Sequence, residues 1–523
     1  MKKISGIILI TMIFLGIIFF AKQNLFYSNL ENVTYEDIVN FLSRKNSIDQ
    51  EVNGIIKTNS QYDDIDEGDI IKVDKERLYI CNYQSLQVIN TEKEIIEYNL
   101  HFENFYPMEL MIYDDTIIVF GTQNEIANLI PGHNINYYNS ECMIYLLNKN
   151  DLKTKRFLKF NNSYYLTSRV INDELYLVLN SYNIFNYESQ SLIYPSYEDS
   201  LYGYNKLTLR DIYLYENGQN IYGMNLIVKI NLNNNSLPMV KGLLGMESFV
   251  KLNQSHLIFV SYLYDKETTM MIHLFSVDNF KYLGQVELEG YLINQYAIDS
   301  TNEYLRVASY DQEENILYNI RIKDFKIMSQ LDIAPKERIY AIRFQDDFCF
   351  ISTFLYIDPF FIIDFSNPEE IVIIKENKLD FVNEYIQIIN DKILTFGRFV
   401  DENKKSNGLI VALIDKNNLD VINSFSIQDD FIDSDVKYNQ RFLTLIENRI
   451  IFPMTDTKGQ KMIILTLEND ILKLDETFAY QNEYLLRGLI INERFYTISY
   501  NNIYIYEFNN YELIKKIEYN VIE

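Results

Sequence analysis

Five carboxylates fall within seven residues at Asp63, Asp64, Asp66, Glu67 and Asp69, and oxygen-rich loops of this kind hold Ca²⁺. The spacing lacks the D-x-[DN]-x-[DN]-G order of an EF-hand, with its Glu six residues after the Gly. The competing reading is that Asp66 and Asp69 bond backbone amides where the first structural unit begins, the other acids being solvated. A second acidic stretch, Asp429, Asp430, Asp433 and Asp435, lies between two apolar runs and reads as a solvated loop. His101, His133, His256 and His273 are far apart, and none has a His or Cys at zinc-ligand spacing. Cys81, Cys142 and Cys349 each sit in an apolar run, where a free cysteine packs as a small hydrophobe.

Catalytic signatures are missing from the sequence. There is no G-x-S-x-G elbow, phosphate-cradling glycine loop or dinucleotide fingerprint, and 17 glycines are few for such sites. No organic cofactor is expected, and Ca²⁺ is the only metal the sequence suggests. Binding chemistry has better candidates. A stretch of about 181–224 is rich in Tyr, Ser and Asn and reads as a loop inserted in the repeat described below, with Tyr187, Tyr194, Tyr197 and Tyr202 as candidate contacts. The segment from Gly132 to Tyr138 adds Tyr137 and Tyr138. Tyrosine supplies amphipathic contact area, and Ser and Asn supply adaptable hydrogen bonds.

The elements that must position these residues are short strands. From Ile70 onward an apolar run, a tight polar turn and a second run rich in Ile, Leu, Phe and Tyr recur. The turns fall at Asp74-Lys75, Asp114-Asp115, Asn172-Asp173, Asn253-Gln254, Ser300-Thr301, Asp346-Asp347, Asn390-Asp391, Glu447-Asn448 and Asn492-Glu493. Asn and Asp suit them because their side chains bond the local backbone and tolerate the left-handed conformation. Most intervals are about 40 to 58 residues, the length of a four-stranded propeller blade. Crossover helices are missing from this pattern, which argues against parallel-sheet folds. Nine turns are present, but propellers typically close with four to eight blades. The expectation is therefore an all-β fold, a single β-propeller of about eight four-stranded antiparallel blades, with seven and nine as neighbouring solutions; a β-sandwich array is the structural alternative.

At the amino terminus Lys2 and Lys3 precede an apolar run from Ile4 to Ala21. This is the charged end and hydrophobic segment of an export signal. Its 18 residues just reach the length needed to cross about 30 Å of hydrocarbon. A retained membrane anchor is preferred to a cleaved signal, because Phe19-Phe20-Ala21 puts a large aromatic where a cleavage site wants a small residue. Residues 22–54 then read as a juxtamembrane linker, with a short amphipathic helix capped at Thr34, and 55–523 as the propeller. A net charge of −26, from 73 acidic and 47 basic residues, would repel nucleic acid and keep a tyrosine-rich surface soluble.

Several runs resemble a known family. Thr58-Asn59-Ser60-Gln61 and Ile65-Asp66-Glu67-Gly68-Asp69-Ile70-Ile71-Lys72-Val73-Asp74 are similar to its opening T-N-x-Q and V-D-E-x-D-x-x-K-x-D. The densest agreement is Ala334-Pro335-Lys336-Glu337-Arg338-Ile339-Tyr340, then Arg343-Phe344, Thr353-Phe354, Asp358-Pro359-Phe360-Phe361 and Asp364-Phe365-Ser366-Asn367-Pro368. The chain thereby resembles secreted bacterial proteins with a C-terminal β-propeller domain distantly related to WD40 repeats. The resemblance implies export and a propeller, and brings no site residues. Several polar positions depart from the family pattern, with Gln345, Gln387 and Ala297 where it tends to show Gly, His and Ser.

Two functional expectations follow. The first is an extracytoplasmic, membrane-anchored, non-enzymatic binding or scaffold module for a protein or an envelope glycan. The second is an extracytoplasmic hydrolase or lyase with an acidic, Ca²⁺-binding site in the propeller channel.

Overall fold

The computed structural model describes residues 65–519, apart from 127–137, 183, 187–188, 190, 215–222, 246–248, 265–267, 312–313, 355–357, 401–405 and 428–430. The expected N-terminal apolar segment and amphipathic helix lie outside the described residues. Among the described residues no helix is long and apolar enough to cross a membrane, and the helical elements are four single 3-10 turns.

Nine antiparallel sheets of four principal strands follow one another along the chain. The first comprises Ile71–Asp74, Arg77–Asn82, Ser85–Asn90 and Ile95–His101. The first strands of the other eight are Phe105–Tyr113, Ser163–Ile171, Phe249–Leu252, Ile298–Ser300, Arg338–Gln345, Val382–Ile389, Thr444–Ile446 and Leu485–Ile491. The molecule is a single β-propeller of nine blades, which corrects the expectation of eight. Every one of the nine polar turns read from the sequence joins the first strand of a blade to its second. Discounting one of them in favour of the usual upper limit was the error.

Seven of these turns contain a non-glycine residue at positive φ, at Lys75, Asp114, Asn172, Asp346, Asn390, Glu447 and Asn492. Turns from the third strand to the fourth use a different residue. Leu152, Phe280, Leu419 and Tyr511 sit there at φ of 55 to 62°, each donating its amide to the carbonyl four residues earlier. Bulky residues rarely adopt this conformation. Burial of the Leu152, Phe280 and Leu419 side chains offsets the strain.

Because strands alternate in direction, both kinds of short turn lie on one face of the ring. Connections from second to third strand, and from one blade to the next, lie on the opposite face. The first strand of each blade lines the central channel. Arg441, on the turn Gln440–Phe442 leading into the eighth blade, reaches Glu109 on the second blade at 2.5 Å. Two blades, the ninth and the first, separate them around the ring.

Among the described residues no strand is exchanged to close the ring, since the first and ninth blades each use four consecutive strands. Side chains do the closing instead. Ile71, Leu78 and Ile80 pack with Leu489, Tyr496 and Ile498 in one apolar cluster. Around it Asn82 Nδ2 donates to the Tyr500 carbonyl at 2.5 Å, Tyr496 Oη to the Thr91 carbonyl at 3.1 Å, and Arg494 Nε to Glu94 Oε1 at 2.9 Å.

Candidate functional site

The chain itself enters the central channel of the ring. Asp66 and Glu67 pair antiparallel with Val170 and Arg169 on the free edge of the third blade's first strand. Asp69 then exchanges both backbone hydrogen bonds with Leu110 on the second blade, at 3.1 and 2.7 Å. The chain turns at Ile70 and becomes the inner strand of the first blade. Residues Ile65 to Asp69 thus cover two inner strand edges, whose amides and carbonyls would otherwise be unpaired.

The acidic cluster meets a set of cations projected from the inner strands. Asp69 receives both terminal nitrogens of Arg487, at 2.7 and 3.1 Å. Glu67 lies 3.2 Å from Arg169 and 3.8 Å from Arg441. Asp66 pairs with the buried ammonium of Lys72 at 2.5 Å. Glu109 accepts from Arg441 and from the Tyr165 hydroxyl, both at 2.5 Å. Burial works to raise the Asp69 carboxyl, but Arg487 and Arg441 outweigh it and hold the group below its ordinary value. Burial likewise works against the charge on Arg441, and Glu109, Asp69 and Glu67 more than compensate.

Gly68 allows this packing. A Cβ there would stand 2.4 Å from Glu109 Oε2, 2.7 Å from Ser168 Oγ and 3.0 Å from the Tyr165 hydroxyl. The described residues of the cluster therefore act as counter-ions to basic side chains. They neither converge on a vacant point nor bond amides alone, as the competing reading supposed, although Asp69 Oδ1 also accepts the Ile71 amide at 3.5 Å. Asp63 and Asp64 lie outside the described residues. Among the described residues no group of three or more His, Cys, Asp or Glu is arranged to hold a metal ion.

The second acidic stretch is similarly engaged. Asp433 lies 2.6 Å from Lys437 and 3.5 Å from Arg398, and Arg398 also holds Glu384 at 2.8 Å. Asp435 is pushed above its ordinary value by burial and by Asp433. Asp429 and Asp430 are not among the described residues. One small cavity borders this cluster at Glu384, Asp433 and Lys437, and another borders Arg169 and Leu252. Each encloses about 10 Å³, roughly one water.

His256, His273 and the three cysteines are buried within the blades. His256 is buried with Nδ1 3.1 Å from Ser300 Oγ. His273 faces the Tyr282 hydroxyl at 3.3 Å, and burial pushes it down to about 4. His101 is exposed at the end of a strand; His133 lies outside the described residues. The three cysteines are free and buried, and burial pushes each thiol up.

The tyrosine-rich insertion is largely paired structure, in place of the surface loop suggested by composition. Between the second and third strands of the third blade the chain forms Ser196–Asp199 and Gly203–Lys206, a hairpin that extends the outer edge of the second blade. It returns as Ile212–Tyr213, parallel to the outer strand of the third blade. The result is a strap across two neighbouring blades. It is held by a buried bidentate pair in which Arg156 meets Asp199 at 3.1 and 2.5 Å. Tyr197 is consequently corrected from contact candidate to core residue, 5 % exposed and stacked on Phe160 at 5.0 Å. Tyr202 is about half exposed under the Arg156 guanidinium, and Tyr194 is half-buried beside Lys206. Tyr137 and Tyr187 are not among the described residues; Tyr138 begins the strand Tyr138–Asn148.

Sequence reasoning missed the basic half of the site. Lys72, Arg169, Lys251 and Arg343 each stand two residues before the residue that closes the first hairpin of their blade. A lone basic residue recurring in an apolar run was the available signal.

The profile of the family described as Beta propeller domain matches residues 56–511. A protein described as uncharacterized from Methanocaldococcus jannaschii is 29% identical over 261 residues, covering 47% of this chain and 39% of that protein. Another, from Archaeoglobus fulgidus, is 30% identical over 237 residues, covering 45% and 36%. The chain thus spans well under half the length of the curated relatives it matches. Among solved structures, apo AztD from Citrobacter koseri aligns at 7% identity, covering 85% of this chain and 95% of that one with a TM-score of 0.38. The computationally designed Ika8 protein gives the same TM-score of 0.38 at 7% identity, covering 85% and 96%.

Proposed function

This chain belongs to the Beta propeller domain family, and from that premise we propose that it is an extracytoplasmic, non-enzymatic binding or scaffold module, held at a membrane by its N-terminal segment and engaging a protein or envelope glycan. The observation that carries this reading is the path of the chain through the ring. Asp66 and Glu67 run antiparallel to the third blade's inner strand, so the chain enters the channel from the face of the short turns. The second-to-third strand connections leave from the other face, although the hairpin tip of the strap reaches back along the blade edge, where Tyr202 bonds the Asn235 carbonyl. The loop face is thus the one from which the chain does not enter, which leaves its connections open to a partner.

The channel supports the non-enzymatic half of the reading. Its described carboxylates are neutralised by arginines and lysines, and its inner strand edges are partly occupied by the chain's own backbone. The hydrolase or lyase alternative draws no support from this arrangement.

A photo-crosslinking residue placed at Tyr194, beside the loop-face end of the strap where the Ser196 carbonyl accepts from Asn161, or at Lys323 on the turn face, tests the proposal in the native cell envelope. Reproducible capture of one partner from position 194 and not from 323 is expected. Equal capture from both, or none from either, would overturn it.

A further inference from the structure

Six cations from the inner strands or the turns leading into them face the channel: Lys72, Arg169, Lys251, Arg343, Arg441 and Arg487. Five have a carboxylate within 4.0 Å, supplied by Asp66, Glu67, Asp69, Glu109 and Asp299. Arg343 has none among the described residues. It is 5% exposed, and its Nη1 is buried without a hydrogen-bond partner. A guanidinium cannot shed its proton, so burial leaves it charged. Isolated buried charge is strongly unfavourable unless a counter-charge is present.

The surroundings supply donors. The guanidinium carbon of Arg343 lies 4.3 Å from the centre of the Tyr296 ring, and the Tyr296 hydroxyl is buried without a partner. Lys251 holds the same turn, donating to the carbonyls of Gln295, at 3.1 Å, and Ile298. Three donor-bearing side chains from the fourth, fifth and sixth blades therefore flank one turn, and among the described residues no carboxylate is paired with Arg343 there.

We propose that Arg343 holds one small monovalent anion in the channel, chloride or a short carboxylate, with Tyr296 and Lys251 beside it. Arginine matches carboxylate geometry through its paired nitrogens. The site is independent of the binding role assigned to the loop face. Its occupant fixes the inner strands of adjacent blades, so bound anion stabilises the folded ring in proportion to its concentration over its dissociation constant.

Thermal unfolding of the full chain tests this at constant ionic strength, with chloride replacing a bulky sulfonate. A melting temperature that rises and saturates with chloride is expected, with no such response in Arg343→Met. Should Arg343→Met fail to fold, Tyr296→Phe keeps the guanidinium and is expected to move the chloride midpoint upward at least threefold. Bromide-soaked crystals should show anomalous density at Arg343. A flat wild-type response overturns the proposal. So does a wild-type-like response in the Arg343 or, where that variant is unfolded, the Tyr296 variant. If the flat response comes with strong destabilisation by Asp63→Asn and Asp64→Asn, the counter-charge of Arg343 belongs to the chain itself.

Discussion

Arg441 and Glu109 meet at 2.5 Å although they belong to the eighth and second blades. Tyr165 of the third blade donates to the same carboxylate, and Glu67 of the inserted segment lies 3.8 Å from the same arginine. A contact between non-neighbouring blades constrains the diameter of the whole ring. Removing one partner leaves a buried charge, so Arg441→Met should cost about 3 to 5 kcal/mol. The double variant with Glu109→Gln should cost less than the two single changes added together. Urea unfolding of the four proteins measures the coupling, and strict additivity would contradict it.

His273 gives the fold a specific acid sensitivity. Its imidazole is fully buried, and burial lowers it from 6.5 to about 4. Between these values the unfolded chain takes up a proton that the folded chain refuses. Stability is therefore intact above pH 6.5 and falls as pH drops toward 4, by about 3 kcal/mol in total for this residue. His273→Gln should flatten that part of the stability curve, leaving a smaller slope from His256, which burial also lowers. Chemical denaturation at pH 7, 5.5 and 4.5 measures it.

Among the described residues the strap is held by one fully buried ion pair. Arg156 and Asp199 are both almost fully buried, and the Arg156 guanidinium also donates to the Ser236 carbonyl at 3.0 Å. Asp199→Ala should release the hairpin Ser196–Gly203–Lys206 from the second blade while the nine-bladed core persists. Loss of hydrogen-exchange protection confined to residues 196–206 and the adjoining strand Thr154–Phe160 is the expected result. Global unfolding would show that the strap is integral to ring closure.

These relationships were unequally legible in the sequence. The nine first-hairpin turns were all visible, because short polar pairs rich in Asn and Asp recur between apolar runs, whether or not a residue there is left-handed. The turns between third and fourth strands were not, since Leu152, Phe280 and Leu419 carry the left-handed conformation there and read as ordinary apolar residues. Asp66, Glu67 and Asp69 were visible as a cluster, but the arginine partners of Glu67 and Asp69, namely Arg169, Arg441 and Arg487, lie about 100 to 420 residues away. Only ring closure brings them together. Tyr197 looked like a binding residue because composition does not report which tyrosines of an insertion form its own core.

Gly68 is the point at which the channel segment is most vulnerable. Its neighbours Glu109, Ser168 and Tyr165 are ends of side chains, which elsewhere could swing aside. Here Glu109 is held by Arg441 and Tyr165, and Tyr165 by Ser168 at 2.7 Å. A methyl group at 68 must displace the carboxylate from at least one partner. Gly68→Ala should therefore destabilise by about 1 to 3 kcal/mol, the range for overpacking, and Gly68→Val by more. Tyr165→Phe combined with Gly68→Ala should recover part of the loss, because it removes the hydroxyl 3.0 Å from the new Cβ. Unfolding midpoints of these variants decide the matter: a Gly68→Ala protein as stable as wild type would mean that the segment does not occupy the channel so closely.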